Sequence, residues 1–245
     1  MNSKTTNRRR KKKDSLWLLL AFLLVCGILY LLITFRPSFL FPQWKNFNVF
    51  GIDVSKYQGN IDWYQLKNHE VDFAFMKATE GSKLVDRNFK KNWSNCRNVG
   101  VIRGAYHFYS PRVPWNLQAN NFIETVELEP GDLPPVIDIE LVHSKNQEYL
   151  VREIKKWLEV VERHYGVKPI VYTYENYYNR FLQESFRGYN LWIAKYSNES
   201  PKLIDGARWE FWQYSESGKL VGIDHTVDLN CFFGSREQFN KIRKK

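Results

Sequence analysis

The stretch PVIDIELVHSKNQEYLVREIKKWLEVVERHYGVKPIVYTY, residues 135–174, reads as strand, helix, strand. Residues 135–140 are an apolar run ending in acids. Residues 146–165 place Leu150, Ile154, Trp157, Leu158 and Val161 on one face at helical spacing. Residues 169–174 are β-rich again. Such a unit predicts parallel strands joined by a right-handed crossover. The same alternation extends outward in both directions. Strands are predicted over 50–57, 73–79, 101–109, 191–196, 208–214 and 226–232, and helices over 61–69, 87–99, 114–126 and 175–184. Eight strands suggest a closed α/β barrel in one domain, for which the chain is long enough. Only about a dozen residues separate the sixth, seventh and eighth strands, close to the minimum for a parallel return. The last three strands are therefore expected to lack full helices, and one is a candidate to run antiparallel.

Side chains two residues apart on a strand share a face, so Asp138 and Glu140 converge at the strand's C-terminal end. Two carboxylates at close range cannot both ionise freely, and one is pushed towards being a proton donor. That chemistry suits cleavage of a glycosidic bond; two solvated acids at a strand end are the plainer alternative. Two further acids interrupt apolar strands, Asp53 in the first and Asp228 in the last. Closing the barrel makes these strands neighbours, which should bring the two acids together. Acids so placed are costly unless paired, hydrogen-bonded or used. Glu80 competes for a catalytic role, with a salt bridge to Lys77 or another base as its structural reading. His107 should point away from Tyr106 and Phe108 as a hydrogen-bonded structural histidine, and Lys195 should be a charge partner at the barrel end. Trp209, Phe211 and Gln213 are predicted to share a face, the first two for packing and Gln213 for ligand contact.

The net charge of +10 divides unevenly. Residues 1–14 carry Lys4, Arg8, Arg9, Arg10, Lys11, Lys12 and Lys13 against Asp14, which leaves only about +4 elsewhere, mild for a nucleic-acid binder. Residues 15–35, SLWLLLAFLLVCGILYLLITF, hold no charge and suffice to span a bilayer core. The basic block predicts a cytoplasmic tail (1–14), a single transmembrane anchor (15–35), a short linker (36–48) and an exported domain (49–245), periplasmic or extracellular. A cleaved signal peptide is the alternative, but the run is long for one and no small-residue cleavage site follows it. Cys26 falls in the span, and Cys96 and Cys231 are expected to be buried free thiols. The five histidines, 69, 107, 143, 164 and 225, are scattered, and no cluster has metal-ligand spacing.

Seven runs in order, FGIDVSKYQG (50–59), FMKATEG (75–81), RGAYHFY (103–109), PPVIDIE (134–140), WIAKY (192–196), WEFWQYS (209–215) and VDLN (227–230), resemble the glycoside hydrolase family 25 lysozymes. The resemblance covers residues 49 to about 235. It implies a (β/α)5β3 barrel and a muramidase that cuts the β-1,4 bond between N-acetylmuramic acid and N-acetylglucosamine in peptidoglycan. Carried over by position, Glu140 is the general acid, Asp138 its partner, and Asp53 and Asp228 the other acids of the site. Tyr106, Tyr172, Trp192 and Gln213 fall at substrate contacts. The resemblance implies no metal and no organic cofactor, and a monomer is expected. Whether Asp138 attacks the sugar or orients its N-acetyl group is left open at this point. A tethered glycan-binding protein and a hydrolase of another hexosamine polymer such as chitin are the alternative functions.

Overall fold

The structure, a computed structural model, describes residues 23–25, 27, 47–140 and 146–245. The predicted tail and nearly all of the predicted anchor and linker lie outside the described residues; Leu23, Leu24, Val25 and Gly27 are helical. Among the described residues no helix is long and apolar enough to cross a membrane. The chain divides into two compact units, Met1–Gln43 and Trp44–Lys245, and the second carries the barrel.

Among the described residues nine strands form one sheet: β1 (Phe50–Val54), β2 (Phe73–Glu80), β3 (Leu84–Val85), β4 (Ile102–Phe108), β5 (Val136–Asp138), β6 (Ile170–Tyr174), β7 (Asn190–Ala194), β8 (Phe211–Gly218) and β9 (Val227–Phe232). Pairing of β1 with both β2 and β9 closes eight of them into a barrel, and β3 is a short hairpin strand on the outer end of β2. Neighbours from β1 through β2, β4, β5, β6 and β7 to β8 are parallel. β9 runs antiparallel to both β8 and β1. The α-helices described in the barrel unit are α1 (Trp63–Asn68), α2 (Phe89–Asn98), α3 (Trp115–Thr125), α4 (Gln147–Tyr165), α5 (Glu175–Tyr177) and α6 (Arg236–Ile242). Thus the first five barrel strands are each followed by helix, and β7 and β8 are followed by loops. The short late gaps have their physical consequence in β9: a strand too close in sequence to return in parallel returns the other way.

α4 follows its sequence signals closely. Asn146 accepts from the Tyr149 amide at 2.9 Å at the start, and Gly166, at φ 68°, ends the helix in the left-handed conformation. Leu150, Ile154, Trp157, Leu158 and Val161 are all buried. At the end of the barrel away from the β5 C-terminus, Phe239 of α6 joins Val49, Phe73, Phe75, Leu133, Phe211 and Phe232 in one apolar cluster. A Cβ at Gly104 would stand 2.5 Å from the Phe75 ring, so glycine there leaves the room that the ring fills.

Several predicted elements are shorter than the pattern suggested. β1 stops at Val54 because Ser55 and Gln58 form a capping box over a 3-10 turn, Lys56–Gln58. β5 stops at Asp138, although Ile139 N still donates to Tyr172 O at 3.0 Å. Half of the helix predicted over 175–184 is a π-helical turn, Tyr178–Leu182, after one short α-turn, Glu175–Tyr177. Trp209 does not share the face of Phe211 and Gln213. β8 begins only at Phe211, so strand alternation does not reach back, and Trp209 packs with Phe47, Trp212 and Phe233. Phe211 packs in the core, as expected. Cys96 and Cys231 are buried and free.

Candidate active site

The C-terminal ends of the parallel strands surround a cavity of about 270 Å³. Asp53, Asp138, Glu140 and Asp228 line it, together with Tyr106, Tyr172, Trp192 and Gln213. The fold therefore brings together all eight residues singled out from the sequence. Closure of the barrel makes Asp53 and Asp228 directly opposed across β1 and β9, where each carboxyl bears on the other's ionisation. Asp138 ends β5, and Glu140 follows two residues on along the same extended segment.

The structural readings of the competing residues hold. Lys77 Nζ meets Glu80 Oε2 at 2.7 Å, and Glu80 does not line the cavity. His107 is fully buried, with Nδ1 2.7 Å from Thr79 Oγ1 and Nε2 3.0 Å from Gln118 Oε1. Burial pulls its pKa down to about 4, so it is a neutral structural imidazole. Lys195 pairs with Glu175 at 3.3 Å.

The four acids face little positive charge. Among the described residues lining the cavity Lys77 is the one base, and it is already paired with Glu80. All four carboxyls are displaced upward. Burial, then the charge of Asp53, drives Asp228 up to about 9. Burial raises Asp53 too, against hydrogen bonds from Asn230 and Gln213 that pull it down. Burial, then the charges of Glu140 and Asp53, holds Asp138 well above the usual carboxylate range. Burial also raises Glu140, opposed by the Tyr172 hydroxyl. That hydroxyl also donates to Gln213 Oε1 at 2.8 Å, so it serves one acceptor at a time. Asp138 is the more deeply buried of its pair, and its Oδ1 has no hydrogen-bond partner. In the free site Asp138 is therefore the costlier of the pair to ionise, since no donor meets its buried Oδ1.

Burial and the surrounding acids push the phenols of Tyr106 and Tyr172 well up, so both stay neutral hydrogen-bonding groups. Gln213 is buried, with its amide oxygen accepting from Tyr172 and from Tyr196 at 3.1 Å and its nitrogen donating to Asp53 at 2.8 Å. Its polar atoms thus serve the protein's own network. Sequence reading missed Tyr174, Tyr196 and Asn230. Strand alternation offered two of them: Tyr174 lies two residues beyond Tyr172, and Asn230 two beyond Asp228.

The sequence profile described as "Glycosyl hydrolases family 25" matches residues 52–223. The protein YegX of Escherichia coli K12 is 39% identical over 211 residues, covering 83% of this chain and 77% of its own length. Lysozyme M1 of Streptomyces globisporus is 34% identical over 200 residues, covering 76% of this chain and 68% of its own. The structure of a family 25 glycosyl hydrolase from Bacillus anthracis superposes with a TM-score of 0.77 at 36% identity, covering 82% of this chain and 95% of that one. With the profile spanning most of the barrel and the fold shared at that identity, the chain belongs to glycosyl hydrolase family 25 and is a glycoside hydrolase.

Proposed function

We propose that the protein is a lysozyme of the muramidase type, cutting the β-1,4 bond between N-acetylmuramic acid and N-acetylglucosamine in peptidoglycan. The similarity to Lysozyme M1 and to an autolytic lysozyme of Clostridium acetobutylicum supports this substrate class. Glu140 is the general acid: it gives its proton to the glycosidic oxygen as the C–O bond breaks, then takes one from the water that replaces the leaving sugar.

The observation that carries the reading is Asp138 Oδ1, a buried carboxylate oxygen with no partner, on a residue that lines a cavity rich in aromatic rings. A buried acceptor left open is costly, and an N-acetyl sugar brings the N–H that would complete it. That hydrogen bond favours the ionised form of Asp138 and passes the shared proton to Glu140 when substrate is bound. Asp138 then orients the acetamido group, whose carbonyl oxygen attacks the anomeric carbon, or stabilises the positive charge that develops there. Tyr106 and Trp192 offer a phenol and a ring face to the sugar.

The lysozyme is anchored in this proposal: residues 15–35 span the membrane once, residues 1–14 stay in the cytoplasm, and the barrel acts outside as a monomer. The uncharged run behind a basic block supports the anchor.

Mass spectrometry of fragments released from purified peptidoglycan tests the reaction. Products with a reducing N-acetylmuramic end are expected. Retention of the protein on the glycan with no release would support a tethered binding protein instead. The open proton-holding pair disfavours that second reading, because binding needs no acid.

A further inference from the structure

The proton inventory of the cavity turns on a residue outside the acid quartet. Asn230 is fully buried on β9. Its Oδ1 accepts from the Trp192 indole Nε1 at 2.8 Å, and its Nδ2 donates to Asp53 Oδ2 at 2.8 Å. An indole N–H can only donate. The Asn230 oxygen must therefore face Trp192, and its NH2 must face Asp53. Gln213 Nε2 donates to the same Asp53 oxygen at 2.8 Å. Gln213 is set less strictly, since the hydroxyls of Tyr172 and Tyr196 on its far side can donate or accept. The tryptophan arm alone dictates the direction.

Two N–H donors on that oxygen favour the carboxylate form of Asp53 and leave any proton it takes to its other oxygen. Asp228 stands directly opposite Asp53 on β9, and two carboxyls so placed are cheapest with one proton between them.

We propose that Asn230, oriented by the Trp192 indole, is a positioning residue that commits Asp53 to its carboxylate form and so leaves the proton of the pair on Asp228. Asp228 then acts at the cavity wall as a hydroxyl donor, not as a second anion, and the site carries one fewer negative charge at the moment Asp138 ionises. Trp192 has a task besides offering a ring face: its nitrogen is the origin of the chain Trp192–Asn230–Asp53–Asp228. Its ring is held in place by stacking on Phe75 at 4.4 Å between centroids.

The inference rests on the cavity being the hydrolytic site proposed above, and the test separates the two. The full chain would be assayed on soluble peptidoglycan glycan strands from pH 4 to 9 as wild type, Asn230→Leu, Trp192→Phe, the double variant and Glu140→Gln. Asn230→Leu removes one donor from Asp53, which then holds a proton more tightly. The acidic limb of the kcat profile should move to higher pH, and kcat should fall roughly 10- to 100-fold, the scale of one hydrogen bond to a charged group. KM should change by less than about twofold, because the lost interaction is not with substrate. Trp192→Phe keeps a ring on Phe75 but frees the Asn230 amide to turn, so it should shift the same limb in the same direction by less. The double variant should match Asn230→Leu alone, since both act through one chain.

An unmoved acidic limb in Asn230→Leu, with Glu140→Gln inactive, overturns the proposal and leaves the hydrolytic reading standing. Full activity in Glu140→Gln overturns that reading itself. Should Asn230→Leu fail to fold, Trp192→Phe decides: an unmoved limb with a raised KM would make Trp192 a substrate contact only and overturn the proposal.

Discussion

The cavity holds two pairs of carboxyl groups, built in opposite ways. Asp53 and Asp228 face each other across the antiparallel closure of the barrel, and Asp53 Oδ2 receives amide donors from both Asn230 and Gln213. Asp138 and Glu140 sit on the end of a three-residue strand, and Asp138 Oδ1 receives nothing. One pair is closed by the protein, and the other, in the proposed reaction, is left for the sugar to close. If that reaction holds, the difference teaches that unmet hydrogen-bonding capacity, more than charge, marks the reacting groups of an acidic site.

The comparison breaks first on stability. Asp53→Leu leaves two buried N–H groups without acceptors, each costing about 1–3 kcal/mol. Denaturant unfolding should show a loss of about 3 kcal/mol or more. Asp138→Leu removes an acceptor that has no partner and should be neutral or stabilising. Equal losses in the two variants would erase the distinction between the pairs.

Titration sharpens the same contrast. The Asp228 carboxyl, at about 9 when folded against an ordinary value of 3.8, binds a proton that the unfolded chain has released. Its contribution is fully present below pH 4 and is lost as pH rises through about 9. Asp228→Asn keeps a hydrogen-bond donor and has no proton to lose. The fall in Tm between pH 6 and 9 should flatten in this variant. His107 runs the other way: its folded value of about 4 lies below the ordinary 6.5, so its contribution is present above pH 6.5 and lost as pH falls towards 4. Between pH 4 and 6.5 the two slopes oppose each other, so the wild-type Tm should fall mainly above pH 6.5, and Asp228→Asn should flatten that fall and expose the acid-side loss due to His107.

The smallest effect is expected outside both pairs. Glu80 is about one-third exposed in its pair with Lys77. Glu80→Gln should change stability by less than about 1 kcal/mol, as for other solvent-screened pairs, and leave turnover near wild type. A large loss of turnover would return Glu80 to the list of reacting groups.

The sequence made some of this legible and hid the rest for identifiable reasons. Spacing of two along a strand placed Asp138 and Glu140 together, and closure of a barrel placed Asp53 against Asp228. α4 was readable to within a residue from its periodicity alone, and the structure adds the Asn146 cap and the Gly166 stop that fix its ends. The early end of β1 is set by a side-chain cap at Ser55, which competes with strand pairing over four residues. The Trp209 face depended on where β8 begins, a matter of pairing with β7 and β9. The role of Asn230 could not be read locally at all. It comes from Trp192, 38 residues away in sequence, and from the fact that an indole nitrogen only donates.

The most direct test of the account is the turnover of Glu140→Gln on peptidoglycan, measured beside its unfolding transition. A fall of about 10²–10⁴-fold, the usual worth of a general acid, with Tm unchanged or raised, is the predicted result. Turnover close to wild type in a folded Glu140→Gln protein would contradict it.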